Sequence, residues 1–173
     1  MININIFLTF VFSGLLMIFL FFKPLKLKEQ HFVDVPQLEL KNFTMYEFTP
    51  FGLQTYMLGS SGTKYDDRFI VKDIDYTDKS PKYIANMQAQ KGIYKNDIVT
   101  LEGNVIYSRD NGFQFSTQKL VYNKKTSQAV SNVGYTANIG KNVVKGSYIK
   151  YNNNLNRVYS KDIDAIYQLQ EGK

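Results

Sequence analysis

The chain has 173 residues, with 21 basic and 15 acidic side chains, a net charge of +6 and no cysteine. The lack of cysteine excludes disulfides, thiolate metal sites, a cysteine nucleophile and an N-terminal lipoprotein cysteine. Lys23, Lys26 and Lys28 supply three of the positive charges, and from Glu29 onward 18 basic residues face 15 acidic ones. That balance is not the strong basic excess of a nucleic-acid-binding domain, so no nucleic-acid partner is expected.

Ile4–Phe22 is an apolar run of 19 residues without a charge. As a helix it spans roughly 29 Å, close to the hydrocarbon thickness of a bilayer. A cleaved signal peptide has a shorter apolar core, a basic leading segment and a small-residue cleavage site. Here Met1–Asn5 has no charged side chain and Phe19–Phe22 is bulky, so an uncut anchor over residues 1–23 is predicted, with Ile4, Phe12 and Phe22 in contact with lipid. The lysines after it suit anionic headgroups. The positive-inside rule would put them in the cytoplasm, but it weakens before a long folded domain, so charge leaves the side undecided.

Residues 24–36 form a polar stalk marked by Pro24 and Pro36, and contain the sole histidine, His31. From residue 37 to about 170 the chain reads as one all-β domain. Strands are predicted at Leu38–Phe48, Gly52–Leu58, Phe69–Thr77, Tyr83–Lys91, Asp97–Tyr107, Phe113–Asn123, Gln128–Val130, Tyr135–Ile139, Val143–Tyr151 and Arg157–Leu169. Turn signals separate them at Ser60-Ser61-Gly62, Asp78–Pro81, Asp110-Asn111-Gly112, Gly140–Asn142 and Asn152–Asn154. Asn-Gly tolerates the positive φ of a tight hairpin, which makes Asn111-Gly112 the clearest of these.

An internal repeat runs through the strands. Tyr65, Tyr94, Tyr122 and Tyr151 are spaced by 29, 28 and 29 residues, with Ser60, Ala89, Thr117 and Gly146 five places before them. A period of that length is two strands and two turns, which predicts stacked hairpins.

Alternation assigns an apolar face. Val99, Leu101, Gly103, Val105 and Tyr107 share one side of their strand, as do Tyr83, Ala85, Met87 and Ala89 on another. Phe113 and Phe115 line up likewise, and so do Tyr135, Ala137 and Ile139. Two such faces in contact make a dry sandwich core; two held apart make a groove wide enough for acyl chains. The small residues Ala85, Gly103 and Ala137 lean toward a cavity, but alternation does not separate the two.

Leu101-Glu102-Gly103-Asn104-Val105 resembles the L-x-G-N-V signature of periplasmic lipopolysaccharide-transport domains. The hairpin Asp110-Asn111-Gly112, the run Phe115–Tyr122 and the glycine-led strand Lys145–Tyr151 follow in the same order. With a single N-terminal anchor ahead of the domain, the chain resembles the LptC family. That resemblance implies an open, twisted β-jellyroll of stacked antiparallel strands, in the periplasm, preceded by one transmembrane helix in the inner membrane. It implies lipopolysaccharide as ligand, and as partners the transmembrane subunits of an inner-membrane ABC transporter and a soluble periplasmic bridge protein. The apolar interior candidates are then Ala85, Met87, Val99, Leu101, Gly103, Val105, Phe113, Phe115, Tyr135 and Ile139. The edge candidates are Leu38, Leu40 and Phe43 at one end, and Val158, Ile163 and Ile166 at the other. A tethered adhesion module that pairs by an edge strand and carries no lipid is the alternative. Nothing in the sequence asks for a cofactor, a metal or an enzyme: the acid pairs Asp66/Asp67, Asp73/Asp75 and Asp162/Asp164 read as solvated, and one histidine supports no catalytic triad.

Overall fold

In the structure, a computed structural model, residues 4–21, 34–79 and 83–168 are described. The chain divides into two units, Met1–His31 and Phe32–Lys173. The first contains helix α1, Ile4–Phe21, of 18 residues. The second contains strands β1 (Leu38–Thr49), β2 (Gly52–Lys64), β3 (Phe69–Lys79), β4 (Ile84–Lys95), β5 (Ile98–Arg109) and β6 (Phe113–Asn123). It continues with β7 (Gln128–Ser131), β8 (Tyr135–Ile139), β9 (Asn142–Gly146), β10 (Tyr148–Asn152), β11 (Arg157–Lys161) and β12 (Asp164–Ile166).

Helix α1 covers Ile4–Phe21 of the apolar run Ile4–Phe22. Among the described residues no helix is long and apolar enough to cross a membrane. Ile4 and Phe12 lie exposed on α1. Phe22, residues 23–33 of the stalk, and Leu169 lie outside the described residues.

The strands form one antiparallel sheet, consistent with the expected β-jellyroll. β1 to β6 pair in sequence order, and β6 is where the sheet divides. Its last residues, Val121–Asn123, pair with β7, which continues through β10 to β11. Its first residues, Phe113–Thr117, pair with β8, which continues through β9 to β12.

Left-handed residues recur within β1, β3 and β5 and at the breaks between β7 and β8 and between β11 and β12. Asn42, Asp73, Asn104, Gly134 and Asp162 all have positive φ, between 46° and 76°. They recur 31, 31, 30 and 28 residues apart. This is the left-handed region, which Gly, Asn and Asp enter most cheaply. Neighbouring strands hold these residues in place. Ser60 Oγ donates to Asp73 Oδ2 at 2.6 Å, Gln118 Nε2 donates to Asn104 Oδ1 at 3.4 Å, and Ser147 Oγ donates to Asp162 Oδ2. In β5 the bend is a bulge, where the register steps from Glu102↔Lys119 to Val105↔Thr117.

Three expectations change as a result. Ser60-Ser61-Gly62 lies inside β2, at its bend, and the turn to β3 comes later, where Tyr65 N bonds to Arg68 O at 2.8 Å. The strand expected over Val143–Tyr151 is two, β9 and β10, broken at Ser147. The strand expected from Arg157 is also two, β11 and β12, broken at Asp162.

The core sits at the bends. Val71, Ile74, Ala89, Leu101 and Val105 are buried together. Phe43, Met57, Phe69, Tyr76, Met87, Val99 and Leu120 pack against them from both halves of the strands.

Candidate functional site

Register across the sheet determines which side chains share its inner face. Beyond the bend on one side, Met45, Met57, Tyr76, Met87, Tyr107, Phe115, Ala137 and Val144 form one cross-strand row. On the other side, Phe69, Tyr94, Val99, Tyr122, Ala129, Tyr151 and Val158 form another. Three of the four repeated tyrosines therefore stand in one row, while Tyr65 lies in the β2–β3 turn. The outer face is polar beside the bend, where Lys41, Ser61, Lys72, Lys91, Glu102 and Lys119 line up. Glu102 pairs with Lys119 at 2.9 Å, and that bond holds the Glu102 carboxyl below its ordinary pKa.

Burial is uneven along the inner face. Leu101 and Val105 are 2% and 0% exposed. Ala85, Phe115 and Tyr135 are also buried, with the Phe115 and Tyr135 rings stacked at 5.7 Å. Met57, Tyr76, Met87, Val99, Tyr107, Phe113 and Tyr122 are only half-buried, and Ile139 is exposed. The inner face is thus packed around Leu101 and Val105, with half-covered side chains along its two rows and a second buried group, Thr55 and Ala85, at the strand ends.

Gly103 departs from its neighbours. Its φ is +75°, and a Cβ there would meet Gln90 Oε1 at 2.2 Å. Its environment is therefore the bulge and a polar side chain, whereas Leu101 and Val105 belong to the buried cluster.

Polar groups collect near the ends of the inner face. At the ends of β2, β3 and β5, a row runs Glu47, Thr55, Asp78, Ala85, Arg109. Thr55 Oγ1 donates to Glu47 Oε2 at 2.9 Å, and Asp78 Oδ1 is buried without a hydrogen-bond partner among the described residues. Burial, with the charge of Asp78, pushes the Tyr76 phenol up from its ordinary pKa. Arg109 Nε donates to Tyr107 Oη at 2.8 Å, and burial raises the Tyr107 phenol. The sequence reading missed Met57, Tyr76 and Arg109. Arg109 was within reach of it, because it follows Val105 and Tyr107 in the same alternation.

The edges are apolar and exposed. β1 pairs only with β2, and Leu38, Met45, Tyr46 and Phe48 are exposed along it. Leu40 is half-buried, and Phe43 packs on the core. At the other end Val158, Tyr159, Ile163 and Ile166 are exposed on or beside β11 and β12. Among the described residues no group of three His, Asp or Glu side chains could hold a metal ion. The acid pairs serve local bonds: Asp73 and Asp162 cap bends, and Asp67 pairs with Arg68 and Lys95.

A bent antiparallel sheet with an apolar, partly open inner face is a binding scaffold of the β-jellyroll kind. The family model for lipopolysaccharide assembly, LptC-related, matches residues 6–159. The chain belongs to that family, so its role is in lipopolysaccharide transport, with the lipopolysaccharide binding that role implies. It is a transport-bridge family and not an enzyme family, and it gives the adhesion alternative no support. No curated protein matches the sequence.

Proposed function

We propose that this protein is an inner-membrane component of lipopolysaccharide transport, anchored by its N-terminal segment, with its β domain in the periplasm. It receives lipopolysaccharide from an ATP-driven extractor and passes it along the inner face of the sheet to a soluble periplasmic bridge protein. The observation that carries this reading is the partial exposure of the two inner rows. The two inner rows are largely aliphatic and aromatic, yet Met57, Met87, Val99 and Tyr122 in them are only half covered. A row of half-exposed apolar side chains across so many strands lowers its free energy by covering itself with acyl chains.

The exposed edges support the relay. Unpaired strand groups flanked by apolar side chains are templates for strand addition. β1 would dock on the extractor's own β domain, and β11 with β12 on the soluble bridge. The apolar surface of α1 on all sides, including Ile4, Phe7, Leu8, Phe10 and Phe12, supports burial in lipid. The transport energy comes from the partner ATPase.

Depletion of the protein in living cells tests the proposal. Newly made lipopolysaccharide is expected to build up in the inner membrane. Normal delivery to the outer membrane after complete depletion would refute it.

A further inference from the structure

Three cations near the β2–β3 and β4–β5 turns pair with carboxylates, while Lys124 lies over the Tyr94 ring at 4.8 Å. Arg68 pairs with Asp67 and Asp34 at 2.8 and 2.7 Å, Lys95 with Asp67 at 2.5 Å, and Lys125 with Asp97 at 3.2 Å. Arg109, at the opposite ends of the strands, is different. It has no carboxylate partner among the described residues. Its neighbour Asp110 is engaged with Ile84 N at 3.0 Å, and Ala85 stands between it and Asp78 in the cross-strand row.

Aromatic rings surround it instead. Its guanidinium carbon lies 4.2 Å from the Tyr83 ring centre and 5.3 Å from those of Tyr107 and Phe113. Nε is occupied by Tyr107 Oη, which leaves the two outer nitrogens without an acceptor among the described residues. Ring faces hold a cation in place without neutralising it. Two free parallel donors on a planar group match two oxygens of a phosphate, and partial burial strengthens the pairing.

We propose that Arg109, held by Tyr83, Tyr107 and Phe113, is a recognition site for a phosphomonoester on the headgroup of an acylated glycolipid. The site rests on the reading of the inner face as a lipid trough. It fixes the direction of the ligand: acyl chains toward Leu101 and Val105 at the bend, the charged headgroup at the rim beside Tyr83 and the β5–β6 turn.

The test measures binding to the full-length protein in detergent micelles, with fluorescent diphosphorylated lipid A and a phosphate-free analogue as probes. Wild type should prefer the phosphorylated lipid about tenfold, the worth of one charge-assisted pair. Arg109→Gln should abolish that preference and leave binding of the phosphate-free lipid within about twofold, which also reports that the variant is folded. Arg109→Lys, which keeps the charge and loses the fork, should fall between. Equal weakening toward both lipids in Arg109→Gln would reduce Arg109 to a packing residue and overturn the site. Loss of the preference in millimolar inorganic phosphate would also overturn it, because the site would then take a free anion. No preference in wild type would overturn the site and leave the trough standing; no binding of either lipid would bring down both.

Discussion

Gly103 shapes β5 through the side chain it lacks. Its φ of +75° is strained for any L side chain, and a Cβ would collide with Gln90. Gly103→Ala is therefore expected to cost about 2 kcal/mol in chemical denaturation, of which the left-handed backbone accounts for roughly 1–2 kcal/mol. Adding Gln90→Ala should recover only the steric part; full recovery would show that the backbone is relaxed. Strict alternation places Gly103 on the apolar face with Val99, Leu101 and Val105, and for those three the placement is right. At Gly103 the left-handed backbone turns the Cβ direction toward Gln90 instead, and alternation carries no mark of that. A second residue-scale effect is electrostatic. The Lys95 bond, with help from Arg68, holds the Asp67 carboxyl below its ordinary pKa. A lowered folded pKa gives stability that is fully present above the unfolded value near 4 and is lost as pH falls through the folded value. The melting temperature of Asp67→Asn should lie below wild type at pH 7, and the gap should close as the pH is lowered to about 2. A gap that persists in acid would rule out the carboxylate as its source.

Among the elements, those read directly from alternation, such as β6 and β8, fall where the sequence places them. The errors gather at the bends. Ser60-Ser61-Gly62 has turn composition, yet in β2 the small residues make room: a Cβ on Gly59 or Gly62 would meet the Phe43 ring at 2.8 and 2.9 Å. Small residues that accommodate a ring and small residues that reverse a chain look alike in a sequence. The last strand breaks at Asp162 on the same left-handed backbone that bends β3 at Asp73, but its halves pair with different neighbours. The edge they form leads to a specific outcome. Truncation before Arg157 removes β11 and β12 and bares β10 and β9. The shortened protein should fail to capture the soluble bridge protein in a pull-down while still reaching the membrane. Undiminished capture would place docking elsewhere.

At the scale of the molecule, the hairpin period was legible because each repeat carries a tyrosine at or just past the end of a strand. The parallel repeat of left-handed residues, Asn42 to Asp162, was not, since Asn and Asp are common in turns and surfaces alike. Nor could periodicity distinguish a dry core from a trough. That depends on how far apart the two inner rows stand beyond the bend, a distance set by the repeated bends together. Here the base is packed around Val105, and the rows beyond it are half open. The most direct test is photo-crosslinking in living cells, with the reactive group placed in turn at Met87, Val99 and Phe113 on the inner face and at Glu102 and Gln88 on the outer. Lipopolysaccharide adducts are expected at the three inner positions and at neither outer one. Adducts only at the outer positions, or none at any position while the protein still supports growth, would contradict the trough.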